Sequence, residues 1–222
     1  MASMKPLLLP VLLAMSLVGP AQAAEDISKV NGSIHVAAGA RQDDLGTVNG
    51  AIRVEDGAQV RDVETVNGGI TLGERVSARD LSTVNGSIRG GRGVEVGRDV
   101  ETVNGSVFLD RGSRVGGDVQ TVNGSIGLVA TQVQGSLETV NGDITVGIGS
   151  QVHGGIHVSK PGFNFSLAPV RRPRVVIGPD AVVDGPMEFE REVTLYVHRS
   201  ARVGKVSGAS PQIYDTDTAP RD

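Results

Sequence analysis

The sequence predicts an all-β fold, a single-stranded parallel β-helix (β-solenoid) in which short strands stack coil upon coil. Three observations predict it. The tripeptide Val-Asn-Gly returns every 18 or 19 residues, each unit carries short apolar-polar alternations bounded by Gly, Asn and Asp, and large rings are scarce. Four Phe, two Tyr and no Trp in 222 residues are few for an ordinary globular core. A core of many equivalent Val and Ile layers does not need them.

The repeat sets the coil. Val-Asn-Gly starts at Val30, Val48, Val66, Val84, Val103, Val122 and Val140, and from the second copy onward Thr precedes it. Behind each Asn-Gly comes an aliphatic alternation, as in Ile34-His35-Val36, Ile52-Arg53-Val54, Ile70-Thr71-Leu72 and Val107-Phe108-Leu109, a strand signal of period two. A second short segment, such as Ala58-Gln59-Val60, and a third, such as Val63-Glu64-Thr65, complete three strands per unit. One such unit cannot bury its own apolar face, but stacked units can. Matching units places Ile34, Ile52, Ile70, Ile88, Val107, Ile126 and Ile144 in one column. About nine coils follow, roughly 40 Å of stack. Right-handed winding is expected, because 19-residue coils do not divide into three strict hexapeptides.

The Asn-Gly pairs are expected at corners, where both residues tolerate left-handed backbone. Asn31, Asn49, Asn67, Asn85, Asn104, Asn123 and Asn141 would then stack and pass amide hydrogen bonds from coil to coil, a structural ladder rather than a binding site.

The flanking segments follow from composition. Residues 1–23 read as a secretory signal: Lys5, an apolar run from Leu7 to Val18, and the small-x-small site Ala21-Gln22-Ala23. Residues 24–158 are the Val-Asn-Gly solenoid, 159–173 a break, 174–208 further coils, and 209–222 a flexible tail. The break is basic and contains Phe: Lys160, Phe163, Phe165, Arg171 and Arg172, with Arg174 just beyond it and no acid. Such a segment suits docking of an anionic envelope component or an envelope protein.

Composition excludes several functions. Without cysteine there is no disulfide framework. Removing residues 1–23 leaves 20 basic and 25 acidic side chains, a net charge of −5, so no nucleic-acid partner is expected. No transmembrane helix is expected in the mature chain. No cofactor, metal or catalytic residue is assigned either. His35, His153, His157 and His198 lack the local signature of a left-handed β-helix acyltransferase, and the i, i+4 spacing of His153 and His157 separates them along a strand. The repeat has too few rings for a carbohydrate-active groove. Asp44, Asp62, Asp80, Asp99 and Asp118 form a column that reads as corner carboxylates bonding backbone amides, with Arg61, Arg79 and Arg98 beside them.

Gly116-Gly117-Asp118-Val119 and Gly154-Gly155-Ile156 resemble the serial units of the bactofilins, polymer-forming bacterial cytoskeletal proteins. The Thr-Val-Asn-Gly units resemble the putative-adhesin β-strand-repeat proteins of bacterial envelopes. The resemblance covers residues 27 to about 208 and implies a parallel β-helix and, for bactofilins, filament formation in the cytoplasm. The export signal moves the expectation to the periplasm or cell surface. The expected function is a non-catalytic structural scaffold of the bacterial envelope that self-associates through its solenoid ends. The alternative is a monomeric adhesin-like module that binds an envelope ligand.

Overall fold

The computed structural model describes residues 25–161 and 171–220. Residues 1–23, read as a signal, and Phe163 and Phe165 lie outside the described residues. The described chain is a β-solenoid of about nine turns built from three parallel sheets. Sheet I has ten strands, from Ile27–Asn31 to Val206–Ser207, and sheet II has ten, from Ile34–Val36 to Pro211–Tyr214. Sheet III has seven, from Ser77–Ala78 to Arg202–Val203, and single bridges carry it back through Gln59 to Arg41.

The register is the repeat made visible. Leu45 pairs with Val63 and Thr47 with Thr65 on sheet I, while Ile52 pairs with Ile70 and Val54 with Leu72 on sheet II. Alternate residues point inward, so the Leu and Val of sheet I and the Ile, Val and Leu of sheet II fill one continuous core. Each column buries an aliphatic against the equivalent residue one rung away, and this like-on-like packing is why a one-residue slip is disfavoured.

The break at 159–173 interrupts the chain but not the stack. Ile144–Val146 pairs directly with Arg174–Ile177, and Gly155–Val158 pairs with Met187–Phe189. The excursion therefore replaces one corner between sheets I and II. Beyond it, Pro211–Tyr214 is no flexible tail: it pairs in parallel with Thr194–His198 as the last rung of sheet II. Its alternation is short and begins at Pro211, which hides the strand from a pattern search.

The corners differ from expectation. Gly50, Gly68, Gly86, Gly105, Gly124 and Gly142 are not left-handed; of the Asn-Gly glycines only Gly32 has a positive φ, 111°. Close approach is what requires glycine there. A Cβ at Gly86 would overlap the carbonyl oxygen of Gly68, and the same clash recurs at every later copy. The left-handed column lies instead at the turn between sheets II and III. Gly39, Gly57, Gly93, Gly112 and Gly149 occupy it, joined by Arg75, Ala130 and Asp180 with φ of 53°, 42° and 53°.

Candidate functional site

The four residues of Thr-Val-Asn-Gly do four different things. Threonine points inward: Thr47, Thr65, Thr83, Thr102 and Thr121 are buried, and each hydroxyl donates to the corner glycine carbonyl of the preceding coil, as Thr83 Oγ1 does to Gly68 O at 2.9 Å. Valine, one residue later, must point outward. Asparagine forms the ladder: from Asn49 to Asn141 each Nδ2 donates to the Oδ1 of the preceding Asn at 2.9–3.0 Å. Glycine allows the coils to close on that carbonyl.

The consequence is an apolar row on the outside. Val30, Val48, Val66, Val84, Val103 and Val122 are exposed, most of them by 38–41%. Scattered exposed valines are ordinary, but a row on successive coils is a surface feature. Beside it on sheet I run Gly46, Glu64, Ser82, Glu101, Gln120 and Glu138, and the two rows line shallow grooves along the stack. The alternation of Val63 and Thr65 already implies that Val66 faces out, but the prominence of valine in the repeat suggests core.

Corner charges are matched locally. Asp44, Asp80, Asp99 and Asp118 each accept the backbone amide of the next coil, as Asp99 Oδ1 does from Asp118 N at 2.8 Å. Arg79 pairs with Asp62, Arg98 with Asp80, and Arg61 with Asp43 and Asp44. The Asp62 carboxylate holds the Arg79 guanidinium above its usual range.

The basic segment is also neutralised from neighbouring coils. Arg171 pairs with Asp143 at 2.7 Å and Arg172 with Glu192 at 2.9 Å. The guanidinium of Arg174 lies 5.0 Å from the Tyr196 ring centroid and donates to Pro220 O. The amide of Lys160 donates to Glu190. The acids that sequence proximity does not show thus arrive through the stack, so the described part of the segment is not an isolated cationic loop.

The histidines are dispersed among separate partners. His35 faces Glu55, His153 bonds Asp184 at 2.6 Å, His157 lies near Glu188 and Glu190, and His198 bonds Ser200 at 2.8 Å. Among the described residues no group of three His, Cys, Asp or Glu could hold a metal ion, and no helix is long and apolar enough to cross a membrane. Comparison with protein-family models, curated proteins and solved structures finds no match to the chain.

Proposed function

We propose that this chain is an exported, non-catalytic scaffold of the bacterial envelope that self-associates through the C-terminal end of its stack. One observation carries the reading: the last coil is open. Arg202–Val203, Val206–Ser207 and Pro211–Tyr214 each pair on one side only. Ile213 follows Val197 in an interior column but is 64% exposed, because no further coil covers it. Residues 215–220 do not fold over this end. They run back along the outside of sheet II, where Ala219 packs on Val176, Tyr196 and Tyr214.

An open rung offers unpaired backbone groups and uncovered core together, which is what strand addition uses. The opposite end is blunted by a charge. Lys29 occupies the register position of Thr47 and places its ammonium on Ser33 O at 2.8 Å. Joining two C-terminal ends about a two-fold axis avoids burying Lys29 and gives a closed contact.

Sedimentation velocity of residues 24–222 over a range of concentrations tests this. The native protein is expected to show a concentration-dependent dimer or larger species, and I213K, which places a charge on the open rung, is expected to reduce it. A native protein that stays monomeric at high concentration overturns the reading.

A further inference from the structure

We propose a second contact surface: the outer face of sheet I docks against the outer face of sheet II of another copy of this chain. Five charged side chains carry the inference. On sheet I, Glu64, Glu101 and Glu138 stand on alternate rungs, separated by Ser82 and Gln120. On sheet II, Arg53 and Arg89 stand on alternate rungs, separated by Thr71. Both series therefore advance by two strand spacings, about 9.6 Å.

On sheets I and II these five share a lack of partners. Corner charges find partners inside the chain, including Arg92 with Asp110 in addition to those at the Asp column, and on sheet III Arg114 pairs with Glu95 of the neighbouring rung. Among the described residues, Glu64, Glu101, Glu138, Arg53 and Arg89 have no ion-pair or hydrogen-bond partner. The flat faces thus carry opposite, unused charges at one common period, so two of them can be matched at once in a second copy.

The apolar groups are placed to accompany them. The valine row runs beside the carboxylates of sheet I, and Phe108, 41% exposed, follows Arg89 by one rung on sheet II. A ring seated against outward valines adds buried apolar area to ion pairs that, exposed and alone, would contribute little. A polyanion fits neither the acidic face nor its valines. Because the two faces differ, the contact is heterologous, and a joined pair still presents one free face of each kind, one on each copy. Association then continues to a ring or an open filament. This contact is separate from the C-terminal end, and either can fail without the other.

Charge reversal in an I213K background, which removes the end contact, tests it. E64R/E101R/E138R makes both faces basic, and R53E/R89E makes both acidic, so each variant alone is expected to stay monomeric in low-salt light scattering. Mixing them restores opposite charge at every contact, and at least a doubling of weight-average mass is expected, reversed by added salt. I213K alone should associate laterally. If I213K is monomeric, if the reversed variants associate as it does, or if the mixture stays monomeric, the lateral contact is wrong. The end contact is judged separately by the native protein against I213K. Binding of either face only to poly-lysine or to another unrelated polymer, without self-association, would also overturn the second copy as partner.

Discussion

Arg191 closes the asparagine ladder at Asn141. Its Nη1 donates to Asn141 Oδ1 at 2.7 Å and to Val140 O at 2.9 Å, and its Nη2 donates to Arg171 O at 3.0 Å. Register explains the fit. Thr139, Val158 and Phe189 are aligned on three successive rungs, so Arg191 stands where the ninth coil would carry its asparagine. The eighth coil has Lys160 there and departs into the break, and the long guanidinium spans the missing rung. R191M is expected to lower stability by about 1 kcal/mol, since charged hydrogen bonds at an exposed site are partly replaced by water. R191K should recover only part of this, because an ammonium lacks the fork. Thermal unfolding of the three proteins checks the order.

The inward threonine and outward valine form a second test. T83V keeps the shape of the side chain but removes the donor to Gly68 O, and a loss of about 1 kcal/mol is expected in urea unfolding. V84T makes the same exchange in reverse on the exposed face, and a change within about 0.5 kcal/mol is expected. A repeat whose valine built the core would give the opposite ranking.

How much of this was readable beforehand follows from which physics is periodic. Strand pairing and like-on-like packing repeat with the coil, so the columns from Ile34 to Ile144, the three strands per unit and the asparagine stack are visible in the spacing alone. Interactions between coils at the margins are not periodic. Arg191 meets Asn141 fifty residues earlier, Arg171 meets Asp143 across the break, and Ala219 packs on Val176. No local pattern marks such pairs. The Asn-Gly corner is ambiguous in sequence for another reason: glycine serves both left-handed backbone and close approach, and only the contact with the preceding coil separates the two.

That separation has measurable consequences. G86A forces a methyl into the Gly68 carbonyl, so the two coils must part, and a loss of more than about 3 kcal/mol is expected, at the upper end for single substitutions. Ala130 is the reverse case. Its φ of 42° costs an L-residue about 1 kcal/mol or more, and equivalent positions in neighbouring coils carry Gly112 and Gly149. A130G is expected to stabilise the protein by up to about 1 kcal/mol, even after the added freedom of the unfolded chain is counted. Thermal denaturation of both variants should shift the midpoint in opposite directions.

Tyr214 ties the last rung of sheet II to the body of the stack and makes stability respond to alkali. Its hydroxyl donates to Ile177 O at 3.2 Å, and its ring meets His198 edge-on. Burial pushes its pKa up, opposed by the nearby Arg174 charge. In the unfolded chain the phenol ionises near its ordinary value, about 10, whereas the folded protein keeps the proton to higher pH. The unfolded state therefore binds fewer protons in that window, and stability falls as pH rises. The contribution is complete below about pH 10 and is lost as pH climbs through the folded pKa. Y214F lacks both the hydrogen bond and the titration. It is expected to be about 1 kcal/mol less stable at neutral pH, with the gap to the native protein narrowing above about pH 10. Urea midpoints of the two proteins across that range measure the difference directly, and a gap that stays constant would show that Tyr214 ionises equally in both states.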